Sequence, residues 1–399
     1  MVITMAAEQR RARLAWRHRL AVPAGAASAA EVAASLVALH STDPASVHLA
    51  CLARLATLAA AGWPAAVDTA LYEERSLVRM LGMRRTVFVV PTDLEPVVHA
   101  ACTRAIAATE RAKLVRVLGS AGVGDAAAWL VRLEAATLAA LDERGEALGQ
   151  ELGAAVPDLR TQITFGDETK KWGGPVAITT RVLFLLAADG RIVRGRPRGS
   201  WTSSQYRWAP RDRWLGGPQP QPPAADARDH LARRWLAAYG PATAKDLQWW
   251  TGWTAGETKK VLARIQPAEV DLAGTPGMVL ADDRAPEERP AGPWVGLLPA
   301  LDPTVMGWAD RSWFLDDPAL RALLFDRSGN AGPTIWCDGR VVGGWAQRRD
   351  GEIATRVHSD VGAEALSAID EAAARLGAAI GPVRVTPRFR TPLERQLIL

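Results

Sequence analysis

The chain has 399 residues, 48% apolar and 23% charged, which is the balance of an ordinary globular protein with room for about two to four domains. No apolar run approaches the roughly 20 residues that a membrane span requires, and three widely separated cysteines, Cys51, Cys102 and Cys337, exclude a disulfide framework or a cysteine zinc site. The net charge of +5 is small enough to serve solubility alone, so where the charge sits says more than its sum.

The opening stretch, MVITMAAEQRRARLAW, has no apolar core before a cleavage site, and a cytoplasmic, nucleoid-associated protein is expected. Helical spacing then predicts helices over Ala29–Leu39, Ala45–Leu58 and Ala65–Glu74, followed by two strands, Ser76–Leu81 and Arg84–Val90, that turn at Gly82. Arg75, Arg79, Arg84 and Arg85 make this hairpin basic, either as ordinary surface arginines or as DNA contacts. Asp125 to Ala140 reads as an amphipathic helix. Val176–Ala188 reads as another, stopped at Gly190, and a second hairpin follows with arms Arg191–Arg194 and Tyr206–Trp208.

The segment from Arg191 to Trp214 is the most strongly patterned in the chain. Arg191, Arg194, Arg196, Arg198, Arg207, Arg211 and Arg213 face a single local acid, Asp212, and Trp201, Tyr206, Trp208 and Trp214 are interleaved. Guanidinium groups bind phosphate bidentately, aromatic rings stack on exposed bases, and a field this one-sided repels itself until a polyanion comes near. The alternative is a solvated hairpin whose arginines pair with acids elsewhere.

Gly216 to Pro223 is a Pro/Gly linker, and Ala285 to Gly292 is a second break. Between them Asp229–Tyr239 predicts a helix. Thr243 caps a second one with Asp246 three residues on, and Thr254 caps a third, which runs to about Ile265 with Lys259 and Lys260 facing outward. Two short strands follow, Val270–Leu272 and Met278–Ala281. Helix, helix, turn, helix, hairpin is the order of a winged helix, and the third helix is the one that would enter a DNA groove. The fold class expected is therefore α+β: tandem winged-helix units forming a DNA-binding clamp. The units are residues 1–120, 121–217 with the basic hairpin, 228–284, and a C-terminal α/β region over 291–399. Most of the sixteen tryptophans lie beyond residue 200 and read chiefly as packing. Six scattered histidines without HExxH or HxH predict no metal, and no cofactor is expected.

Several stretches together carry a resemblance. They are Tyr239-Gly240-Pro241-Ala242-Thr243 with Asp246-Leu247 and Trp250-Thr251-Gly252, then Leu297 to Pro303, Asp310-Arg311-Ser312, Pro333 to Trp336, and Gly339 to Trp345. With the Arg194–Trp214 hairpin, their order and spacing resemble the winged-helix family of AlkZ-like DNA glycosylases over most of the chain. That resemblance implies three winged helices around a basic concave surface. It also implies hydrolysis of the N-glycosidic bond of N7- or N3-alkylated purines in duplex DNA, bulky adducts and crosslinks included. The family's catalytic motif, Gln-x-Gln or Gln-x-Asp, follows a helix ending in Leu in the first unit. Here that place reads Leu39-His40-Ser41-Thr42-Asp43-Pro44.

His40 stands in the place of the first Gln and Thr42 in that of the second residue, with Asp43 beside them to supply negative charge. The other reading is that His40 and Thr42 merely end one helix and open the next. His48 and His99 read as packed or surface histidines. The sites expected are thus His40, Thr42 and Asp43 for chemistry. For DNA they are Arg79, Arg84, Arg85, Arg191, Arg194, Arg196, Arg198, Trp201, Tyr206, Arg207, Lys259 and Lys260. The partner expected is double-stranded DNA, bound by a monomer. A non-catalytic DNA binder is the competing function, and an RNA-binding scaffold a more distant one, since winged helices suit the major groove of B-DNA.

Overall fold

The computed structural model describes residues 3–21, 24–56, 62–165 and 174–399. It is an α+β protein with several small sheets. Strand β1 (Ile3–Thr4) and helix α1 (Ala7–Arg17) come first. Then follow α2 (Ala29–Ser35), β2 (Leu39–His40), α3 (Pro44–Leu52) and α4 (Trp63–Asp68), which continues as a wider turn through Glu73, and the hairpin β3 (Leu77–Leu81) and β4 (Val87–Pro91). Helices α5 (Glu95–Val98), α6 (Arg104–Ser120), α7 (Ala126–Arg144) and α8 (Gly149–Ala155) lead to a hairpin of β5 (Gln162–Phe165) and β6 (Gly174–Ala177). Next are α9 (Thr179–Ala188), β7 (Ile192–Pro197), β8 (Tyr206–Pro210) and α10 (Arg211–Trp214). A third block holds α11 (Ala224–Tyr239), α12 (Ala244–Thr251), α13 (Ala255–Ile265), β9 (Ala268–Asp271) and β10 (Pro276–Val279).

One order recurs three times, helix, short extended segment, helix, helix, hairpin, with the β5–β6 hairpin inserted between the second and third helices of the second block. In each block the extended segment after the first helix pairs antiparallel with the second hairpin strand. The pairs are Leu39 with Val89, Ala147 with Trp208, and Ala242 with Met278. Local sequence explains much of this. Thr243 and Asp246 form a reciprocal capping box, and Thr254 accepts from the Glu257 N–H, so orphan donors are met at each bend.

The C-terminal region is an antiparallel sheet in the order β11 (Val295–Leu298), β12 (Thr334–Cys337), β13 (Arg340–Gln347), β14 (Ile353–Val357). Helix α14 (Pro318–Leu324) lies between β11 and β12 in sequence, and α15 (Gly362–Ile380) and α16 (Pro392–Leu397) follow β14. Strand β1 joins β9 in parallel, so the N-terminal residues extend the third block's sheet.

The largest core spans the first and third blocks and the C-terminal sheet. The clustered tryptophans are its aromatic spine: Tyr239 contacts the rings of Trp235, Trp250 and Trp308, and the contacts continue from Trp308 through Trp313 and Phe314 to Trp336. Inside it the Arg54–Asp302 ion pair is fully buried.

Several expected elements differ. The strand expected from Arg84 to Val90 starts at Val87, and Arg84 and Arg85 lie in the tight turn before it. The helix expected to reach Leu39 stops at Ser35, and Leu39–His40 form a strand. The helix expected from Ala45 to Leu58 ends at Leu52, and Thr57 and Leu58 lie outside the described residues. Val176 and Ala177 are strand, and their helix starts at Thr179. Helix α11 begins at Ala224, directly after the Pro-rich linker.

Candidate active site and nucleic-acid interface

The motif His40-Ser41-Thr42-Asp43 runs along the edge of the first block's sheet and into α3. Its residues diverge in environment. His40 pairs with Phe88 across the sheet, ring centroids 4.9 Å apart. It is 6% exposed, and its Nδ1 has no hydrogen-bond partner among the described residues. Burial, helped by the Arg84 guanidinium, drives its pKa down to about 3, so the ring is neutral at physiological pH. A neutral imidazole donates at one nitrogen and accepts at the other, as an amide does, but at this pKa it is a weak base.

Asp43 caps α3. One carboxylate oxygen accepts from the Ala45 N–H at 3.1 Å and the other from the Arg388 N–H at 3.0 Å. Burial raises its pKa, while those two bonds and the Arg388 charge oppose the rise. Both oxygens are therefore committed.

Thr42 is half-buried, and its hydroxyl makes no hydrogen bond within the described residues. It lines a cleft of about 300 Å³ between the first block's sheet and the β7–β8 hairpin, shared with Arg79, Arg85, Phe184, Arg194 and Trp208.

The arginines fall into distinct groups. Arg79, expected at the surface, is a buried arginine at 2% exposure. Its Nε donates to Ser41 Oγ and a terminal nitrogen to the Tyr72 hydroxyl, both at 2.8 Å, and its plane lies 4.4 Å from the Tyr206 ring. Despite burial its pKa is raised, by the two tyrosines and Asp68. The surface expectation failed because strand β3 is buried along its whole length, so alternation gave no sign of which residues point inward.

Arg194 is half-buried beside the rings of Tyr206 and Trp208, with no acid and no hydrogen bond within the described residues. Burial chiefly lowers its pKa to about 10, and Arg79 and Arg388 push it the same way. It stays charged at neutral pH, in a site where like charges crowd one another.

Arg84 packs its guanidinium on Trp249 of α12 at 4.1 Å, where Gly252, at φ 75°, leaves room for the close approach. It therefore joins the first block to the third. Arg85 is exposed and pairs with Glu110. Arg196 pairs with Glu73 and Asp68, and Arg207 with Glu151. Arg211 forms a buried pair with Glu95. The hairpin's field is thus partly neutralised by acids remote in sequence. Among the described residues Arg191 and Arg198 remain exposed without an ion pair, as does Lys259, while Lys260 pairs with Glu257.

Trp201 and Tyr206, expected to stack on bases, are 8% and 7% exposed. Trp201 packs against His48 and Trp63, and Tyr206 under Arg79 and Arg194, so neither presents a free face. His48 is bonded to Asp68 at 3.0 Å and His99 to the Ala188 carbonyl at 3.2 Å; both are packed.

Arg388 was not anticipated. The sequence signal was there, in the cluster Arg384, Arg388, Phe389, Arg390, but nothing local ties it to a motif 345 residues away.

The description "DNA glycosylase AlkZ-like" matches residues 33–379. The chain belongs to this family. Among solved structures, the DNA glycosylase AlkZ of Streptomyces sahachiroi superimposes with a TM-score of 0.71 at 20% sequence identity, over 97% of this chain and 100% of that one. No curated protein matches the sequence. Within an AlkZ-like DNA glycosylase, a DNA-repair and DNA-binding role is set.

Proposed function

We propose that the protein is a monofunctional DNA glycosylase that hydrolyses the N-glycosidic bond of N7- or N3-alkylated purines in duplex DNA. In this reading the three recurring blocks are winged helices arranged as a clamp on the duplex. The observation that carries it is the uncommitted Thr42 hydroxyl in a cleft opposite Arg194, an arginine with no anionic partner among the described residues.

An alkylated purine is already cationic, so the leaving group needs little help. Water oxygen bonds to C1′ of the deoxyribose, the C1′–N bond breaks, and its electron pair neutralises the departing base. The proton released from water goes to solvent. The protein's task is to hold that water and stabilise an oxocarbenium-like sugar. Thr42 accepts a hydrogen bond from the water. Neutral His40 fixes the adjoining edge of the sheet, and Asp43 contributes fixed negative charge from the α3 cap. Arg194 and Arg79 alone would disfavour a cationic sugar. Phosphates bound to this cleft reverse that sign, which makes DNA binding and chemistry one electrostatic unit. No lysine lies in the motif to form a Schiff base, so attack by water is the route.

One observation favours a second reading, a non-catalytic lesion binder. Both oxygens of Asp43 are already spent on backbone N–H groups. The deciding experiment incubates the protein with a duplex carrying one N7-methylguanine and then treats it with alkali. Strand cleavage at that position supports the enzyme. Tight binding without cleavage, at any enzyme excess, supports the binder.

A further inference from the structure

On the C-terminal side of Asp43 the chain builds a second basic surface that the hairpin does not share. Arg388, Phe389 and Arg390, with Arg395 on α16, face Arg321 on α14 and Arg327 just beyond it across an open groove of about 1070 Å³. None of the five arginines makes an ion pair or a side-chain hydrogen bond within the described residues, and four of them are exposed, with Arg390 half-buried. The acid in the groove wall, Asp326, is occupied by the N–H groups of Ser328 and Asn330 and by the Asn330 amide. Phe389 stands 54% exposed among these charges with Arg388 over its ring. Five guanidinium groups lining one groove without an ion pair among the described residues raise the energy of the free protein, and a polyanion relieves it.

The groove's position is fixed by a bond. The Arg388 N–H donates to Asp43 Oδ2, so the groove starts where the catalytic motif ends. The Arg388 charge also reaches Arg194 across the motif.

We propose that this groove binds the phosphate backbone of the DNA strand as it continues beyond the reacting nucleotide. It acts as a second phosphate track, separate from the β7–β8 hairpin. The inference rests on the chain being a DNA glycosylase that grips duplex DNA. Arg388 and Arg390 lie next to the motif, and Arg321, Arg327 and Arg395 line the distal part of the track. Phe389 supplies an aromatic face to the sugar or to an unstacked base beside it.

The test uses the full chain and an undamaged fluorescent duplex, so it does not depend on base release. Affinity is measured from low to moderate salt for the wild type, for R321Q/R327Q/R395Q, and for the matching triple Lys variant. Each phosphate contact contributes roughly 0.9 to the slope of log affinity against log salt. The Gln triple is expected to flatten the slope by about 2 to 3, and the Lys triple to keep most of it. Should the Gln triple fail to fold, the three single Gln variants carry the same test, each flattening the slope by about 1. Gln variants with the wild-type slope and affinity would overturn the second track while leaving the glycosylase reading intact. A wild type that does not bind duplex DNA would overturn both.

Discussion

Arg54 and Asp302, 248 residues apart, meet in a bidentate ion pair with no exposed side-chain surface on either partner. Thr304 and the carbonyls of His18 and Ala50 take the remaining guanidinium donors. The pair welds the first block, which carries the motif, to the loop after β11. Breaking one side leaves a buried charge uncompensated, so Asp302→Ala is expected to cost about 3–5 kcal/mol. Chemical denaturation checks it. A loss below about 1 kcal/mol would mean that water reaches the orphaned Arg54.

The pH dependence of stability follows from buried histidines. The pKa values of His18 and His40 are each driven down to about 3 in the folded state, against 6.5 for an ordinary histidine. The unfolded chain takes up protons on these rings below pH 6.5 while the folded chain does not. Stability they contribute is therefore whole above that pH and lost progressively as pH falls toward 3. The melting temperature is expected to drop between pH 7 and pH 5, and to drop less in His40→Gln. An equal drop in that variant would show that His40 is not the neutral ring its burial requires.

How legible this was in the sequence depends on the range of the forces. The caps at Thr243 and Thr254 were readable because each is closed within three residues. The hairpin of β7 and β8 was readable from its own arginine-aromatic alternation. Strand β2 was not, because the run before it keeps helical apolar spacing and only the distant pairing of Leu39 with Val89 makes it extended. Nor could the sequence tell Arg79 from Arg194. One is buried between Ser41 and Tyr72, and the other is left at the cleft without a partner among the described residues. The partners of Arg196, Arg207 and Arg211 lie on other elements, which is why the segment looked more one-sided than it is.

That difference between arginines gives an expectation for binding. Arg194→Gln should weaken duplex binding and flatten its salt dependence by about 1, with little change in melting temperature. Arg79→Gln should destabilise the fold instead, by about 2 kcal/mol or more, because it leaves a buried hydroxyl pair and two tyrosine faces without their cation. Titration of both variants with duplex DNA, beside their thermal melts, separates the roles. Parallel losses in both assays for both variants would erase the distinction.

The expectation for the chemistry centres on Thr42. Its hydroxyl has no partner among the described residues, while its neighbour Asp43 is locked into the α3 cap. If Thr42 holds the attacking water, Thr42→Ala should slow release of N7-methylguanine in single-turnover assays by about 10- to 100-fold, the range of one lost positioning hydrogen bond. Duplex affinity should stay nearly the same, since the phosphate contacts belong to arginines. Asp43→Ala should instead cost stability as well as rate, because it removes a helix cap worth about 1 kcal/mol and the anchor for the Arg388 N–H. Thr42→Asp places a carboxylate in the same cleft, beside Arg79 and Arg194. Their charge would keep it ionised, and with His40→Gln it restores the family pattern, so release should be maintained or raised. Activity that survives Thr42→Ala untouched would move the chemistry elsewhere in the cleft. A wild type without activity beside an active restored variant would identify a binder built on a glycosylase scaffold.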